Sequence, residues 1–167
     1  TTLGGVKRIM ELMKKLMLLM MGLCLYANDL KAKDDGNIVR SFPFTLTAHN
    51  NISIEALINI DTVNLMFHTA ANSLYVTKKA SMNMNGIKWD TDSELKTWGG
   101  KSRSRISKNN TLIINDLQWD SLSVWENENS GPGTDGKFGP NLFKGLAIEL
   151  NYDAREITLY KNVPKLA

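Results

Sequence analysis

The chain has 167 residues, 43% of them hydrophobic, with 20 Lys and Arg against 17 Asp and Glu and one cysteine. That length carries one ordinary hydrophobic core. The net charge of +3 equals what residues 1–27 carry alone (Lys7, Arg8, Lys14 and Lys15 against Glu11), so the remainder is neutral, and no basic run downstream is long enough to suggest a nucleic-acid partner.

Met13, Lys14 and Lys15 form a basic start, and residues 16–25 are apolar apart from Gly22. Leu25-Tyr26-Ala27 then offers a small residue ahead of polar Asn28 and Asp29. This is the n-region, h-region and cleavage-site order of a secretory signal. An apolar run of about ten residues is half of what a membrane-spanning helix needs. The expectation is a helical signal peptide over residues 1–27, with the residues before Met10 or Met13 read as a mis-called start or a fragment edge. The product would be exported to a periplasm, a cell surface or the medium. Cys24 leaves a lipoprotein alternative open, although Leu23 stands where a lipobox carries a small residue. With Cys24 gone, the exported part has neither a disulfide nor thiol chemistry, which fits a bacterial periplasm or surface.

Residues 28–41 read as a polar tether, and residues 42–162 as one β domain. Phe42, Phe44 and Leu46 alternate with polar positions, and residues 52–58 alternate again, as half-buried strands do. Residues 59–64 read as a turn, Leu65-Met66-Phe67 as an inner strand, and residues 73–76 as extended. Lys78 to Met82 suggests a short helical turn. Further strands are expected at Gly86–Trp89, Thr111–Ile114, Leu122–Trp125, Leu146–Leu150 and Glu156–Tyr160. The stretch 127–136 is a loop by composition, and Asn141 to Lys144 suggests a short helix. Many short strands separated by turns indicate an all-β barrel or sandwich.

Three stretches carry a resemblance. The first is the hairpin 52–59 and 65–72, which ends in His68-Thr69-Ala70-Ala71-Asn72. The second is Trp98-Gly99-Gly100. The third is Asp135 to Phe143, with Gly136 and Gly139, followed by the strands Ala147–Tyr152 and Glu156–Tyr160. Together they resemble one lobe of a retropepsin-type aspartic protease. In that family the hairpin leads into Asp-Thr-Gly-Ala-Ser, a glycine-rich flap covers the cleft, and a D-G-I-L-G-x-D-x-L segment precedes the closing strands. The resemblance spans roughly residues 42–161. It implies a retropepsin-like barrel lobe, a cleft bounded by Trp98, Gly99, Gly100 and Asn72, and a structural role for Asp135, Gly136 and Gly139. No cofactor is implied.

The departures bear on function. Aspartic proteases work with two carboxylates that share one proton, and each retropepsin lobe supplies one of them. The resemblance sets His68 at the aspartate position and Ala70 where a glycine allows close approach, with Thr69 kept between them. An imidazole does not reproduce a proton-sharing carboxylate pair. The implied function is therefore a retropepsin-fold domain, inactive as a peptidase, that binds an extended polypeptide or a partner lobe, a homodimer included. One alternative is the first lobe of a truncated two-lobed peptidase whose second lobe carries the active aspartate. Another is a structural β domain of a surface assembly. Asp61-Thr62-Val63 mimics Asp-Thr-Gly only superficially, and reads as an exposed turn. His49 and His68 are the only histidines and make no metal site by themselves. Trp89, Trp119 and Trp125 read as core or core-capping residues, Trp98 as part of the flap, and Lys101, Arg103 and Arg105 as a solvated hairpin.

Overall fold

The computed structural model describes residues 37–97 and 100–164, with the backbone alone for residues 91–97 and 100–103. The expected signal peptide over 1–27, Cys24 and most of the tether lie outside the described residues. In chain order come β1 (Ile38–Pro43), β2 (Thr45–Leu46), β3 (Ile52–Ile58), β4 (Asp61–Phe67) and β5 (Leu74–Thr77). Helix α1 (Lys78–Ser81), β6 (Thr91–Thr97), β7 (Gly100–Ile114), β8 (Leu117–Asn127) and β9 (Gly136–Phe138) follow. A 3-10 turn (Pro140–Phe143), β10 (Ala147–Asn151) and β11 (Glu156–Tyr160) end the series.

Six strands close into a ring in the order β3-β4-β9-β5-β8-β7, because β7 returns to β3 through Leu57↔Ile113 and Ile58↔Leu112. Closure removes the open edges that a sheet of this size otherwise presents. β2 and β6 pair outside the ring, and β1, β11 and β10 make a separate antiparallel sheet. Within the ring β9 lies between β4 and β5, parallel to the first and antiparallel to the second. Since β4 and β5 are consecutive, the loop joining them must arch over the C-terminal end of β9. This topological constraint builds the site described below.

The core follows from alternation along the strands. Ile52, Ile54, Ala56 and Ile58 of β3, Val63, Leu65 and Phe67 of β4, and Leu74 and Val76 of β5 are buried with Leu112, Ile114, Val124 and Phe138. Each such large aliphatic or aromatic side chain stabilises the fold by about 1.5–3 kcal/mol relative to exposure. Phe143 sits at the centre of an aromatic cluster, with ring centroids 6.0 Å from Phe42, 6.2 Å from Phe67, 6.1 Å from Phe138 and 5.7 Å from Trp119. Trp119 keeps its polar end satisfied by donating from Nε1 to the Leu142 carbonyl at 3.0 Å.

Several expected boundaries move. Pairing starts at Ile38, opposite Tyr160, so the polar stretch expected to run to residue 41 ends inside β1. The turn expected over 59–64 is only Asn59-Ile60, with Asn59 at φ 55°, and β4 begins at Asp61. Gly86–Trp89 is not a strand. The Asp61 carboxylate instead takes the N–H groups of Asn85 at 2.9 Å and Gly86 at 2.8 Å, and only Ile87 of that stretch is buried in the core. The runs 111–114 and 122–125 are parts of much longer strands, of 15 and 11 residues, whose remainder is mostly polar apart from Ile106, Leu117 and Trp119. Among the described residues no helix is long and apolar enough to cross a membrane.

Candidate functional site

β4 drives Leu65 and Phe67 into the core and ends there, so His68 is the first residue free of its ladder. Its backbone N–H donates to the Phe138 carbonyl at 2.9 Å, and its own carbonyl accepts from Ala71 N–H at 2.9 Å, closing a tight turn over 68–71. The His68 ring folds back onto this turn. Its Nδ1 accepts from Ala70 N–H at 3.1 Å, so the neutral ring carries its proton on Nε2. His68, Thr69, Ala70 and Asn72 are exposed. Asn72 Oδ1 accepts from the Tyr75 hydroxyl at 3.2 Å.

The segment 135–139 lies directly under this turn. A Cβ on Gly139 would fall 1.8 Å from the Ala71 carbonyl oxygen, and one on Gly136 would fall 2.1 Å from the Tyr75 carbonyl oxygen. Only glycine lets β9 slide this close to both neighbours. Asp135 fixes the entry to β9. Its Oδ2 accepts from Asn64 N–H at 2.9 Å, its own N–H donates to Asn64 O at 2.8 Å, and its carbonyl accepts from Thr77 N–H at 2.7 Å. Thus His68 and the 135–139 segment, distant in sequence, form one unit.

Sequence reading missed the side chains that flank the turn. Met66 on β4, Lys137 on β9, Tyr75 on β5 and Trp125 on β8 stand in register across four adjacent strands. Their sequence neighbours Leu65, Phe67, Phe138, Leu74, Val76 and Val124 are buried inside the ring, so this row lies on its outer face. The Lys137 ammonium lies 5.4 Å from the centroid of the Tyr75 ring, and burial lowers the Lys137 pKa from the ordinary lysine value. Each residue is unremarkable in its own strand, and only the cross-strand register aligns them.

The expected flap has strands: β6 and β7 pair from Thr91↔Ile106 to Thr97↔Gly100. Gly100 opens β7, while Trp98 and Gly99 lie outside the described residues. Trp89 is half-buried against the core, with the Arg105 guanidinium 4.7 Å from its ring centroid. Arg105 is more than a solvated hairpin residue. It forms an ion pair with Glu126 and donates to Ser81 Oγ at 3.1 Å, and Ser81 donates to Glu126 at 2.6 Å, tying α1 to β7 and β8. The Arg105 hydrogen bond holds the Glu126 carboxyl below the ordinary glutamate range, against the opposing effect of burial. His49 is exposed on the turn after β2, and the described residues hold no group of three or more His, Cys, Asp or Glu placed to bind a metal.

No protein-family model and no curated protein matches this sequence. Solved structures do resemble the fold. A retropepsin-like aspartic protease from Rickettsia conorii superposes with a TM-score of 0.53 at 12% identity, covering 72% of this chain and 89% of that one. The fold is retropepsin-like. EIAV protease complexed with the inhibitor HBY-793 gives a TM-score of 0.46 at 12% identity, over 60% of this chain and 91% of that one. A fold of this kind does not by itself fix the chemistry mounted on it.

Proposed function

We propose that this chain is an exported retropepsin-fold domain that binds an extended polypeptide beside the 68–72 turn and does not cleave it. One observation carries the reading: His68 ends β4 and bonds to β9, at the point where the resemblance puts the catalytic aspartate. Proteolysis on this fold needs a carboxylate there, sharing a proton with a second one across a water. The imidazole of His68 bonds to its own turn instead, and Ala70 adds a methyl where the motif has glycine. What remains is an exposed turn over the end of β9, where an extended polypeptide can lie against exposed polar groups.

The exported chain, incubated with quenched fluorogenic peptides at acidic and at neutral pH, should show no turnover, and a pepstatin-type inhibitor should not bind. Turnover that disappears on His68→Ala would contradict the reading, because it would make His68 a catalytic residue. N-terminal sequencing of exported protein should give Asn28, the residue after Leu25-Tyr26-Ala27; a lipid-bearing Cys24 at the terminus would favour the lipoprotein route instead.

A second reading rests on the sheet β1-β11-β10, whose outer strands β1 and β10 each pair on one side only among the described residues. Such edges accept further strands, so a partner lobe or a second copy could be the polypeptide bound. Sedimentation of the purified chain distinguishes this: a monomer at all concentrations contradicts self-pairing.

A further inference from the structure

We propose that Lys137 is the specificity-determining residue of this surface, and that it selects a polypeptide presenting a carboxylate beside the 68–72 turn. The inference rests on the peptide-binding reading above and names what that peptide must carry. Lys137 immediately precedes Phe138, whose carbonyl anchors His68, and its ammonium lies 5.4 Å from the ring centroid of Tyr75, whose hydroxyl donates to Asn72 of the turn. On either side of it in register are Met66 and Tyr75, neither of them an anion. Among the described residues no carboxylate pairs with Lys137; the ion pairs formed there are Arg40–Asp116, Lys78–Glu128 and Arg105–Glu126.

A half-buried ammonium with an aromatic face and no counter-ion has lost hydration without gaining a full replacement. A lysine on a surface ordinarily lays its stem on apolar neighbours and keeps its ammonium in water. The lowered Lys137 pKa reports the same partial desolvation, which an incoming carboxylate would reverse. A carboxylate here would gain a charge-assisted hydrogen bond from Nζ. The carboxylate can come from an Asp or Glu side chain or from a free C-terminus, and the test separates these sources.

The full exported chain is exposed to a positional library of amidated decapeptides, and to the same library with free C-termini, and the retained peptides are sequenced. Wild type should enrich Asp and Glu over Lys and Arg about tenfold at one position. Enrichment confined to the free-carboxylate library would show that the terminus is what is read, and also supports the proposal. Lys137→Met, of similar length and no charge, should abolish the preference, and Lys137→Glu should invert it toward Lys and Arg. Thermal unfolding of both variants checks that each is folded. Peptides retained with no acidic preference, or with one unchanged in Lys137→Met, overturn the role of Lys137 while leaving peptide binding intact. No peptide retained from either library overturns the peptide-binding reading and this inference with it.

Discussion

The backbone N–H of His68 donates to the carbonyl of Phe138 at 2.9 Å, joining the end of β4 to the end of β9. This bond exists because β9 is inserted between two strands that are consecutive in sequence. The turn carrying His68 must cross the strand that separates them, and it rests on Gly139 as it does so. The backbone bonding therefore fixes the position of residue 68 whatever its side chain.

Gly139→Ala should be severely destabilising. Its Cβ would lie 1.8 Å from a backbone oxygen, which has no rotamer to move away, so the 68–71 turn or β9 must shift. Overpacking against side chains costs about 1–3 kcal/mol, and a backbone clash belongs at or above the upper end. Urea unfolding of the variant should show that loss. An unchanged midpoint would mean that the turn does not lie on β9.

Asn59 holds the β3–β4 turn to the rest of the ring. At φ 55° its amide donates to Gly86 O and to Asn110 Oδ1, both at 2.8 Å, and its Oδ1 accepts from Thr111 N–H at 2.9 Å. Asn59→Ala loses these bonds and gains backbone strain, and should cost about 3 kcal/mol. Asn59→Gly keeps the backbone at ease and loses only the bonds, so it should be the milder change by about 1 kcal/mol. Equal losses in chemical denaturation would show that the positive φ carries no cost.

The Arg105–Glu126 pair gives stability a dependence on acid. Because Glu126 titrates lower in the folded state than in the unfolded one, its contribution is complete above the unfolded value of about 4.3 and is lost as pH falls through the folded one. Glu126→Gln should lower stability at neutral pH and flatten the decline below about pH 4 relative to wild type. Denaturation midpoints measured down the acid limb check this. Parallel acid limbs in the two proteins would contradict it.

Much of the fold was readable because strands with one buried face announce themselves. Residues 52–58 alternate, and Leu65-Met66-Phe67 stood out as the apolar end of an inner strand. The long strands β7 and β8 were half hidden, since much of their length is polar and β7 buries Ser104, Ser107 and Asn110 where apolar residues would have shown the alternation. Gly86–Trp89 looked extended and apolar enough for a strand, but its entry is held by Asp61, which takes the N–H groups of Asn85 and Gly86. At the site, the His68–Asn72 motif and the glycines of 135–139 were visible as a pattern, and their closeness was expected from the resemblance, while neither segment by itself shows the His68–Phe138 bond that joins them. The row Met66-Lys137-Tyr75-Trp125 could not be read at all, because register between strands distant in sequence is not written in any one of them.

Amide chemical shifts of the 15N-labelled exported chain, followed while the best-retained library peptide is titrated in, test the central claim most directly. The account predicts saturable shifts confined to residues 68–72 and 136–139 and to Tyr75, with the peptide recovered intact by mass spectrometry. Saturable shifts that leave these residues unmoved, or recovery of a cleaved peptide, would contradict it.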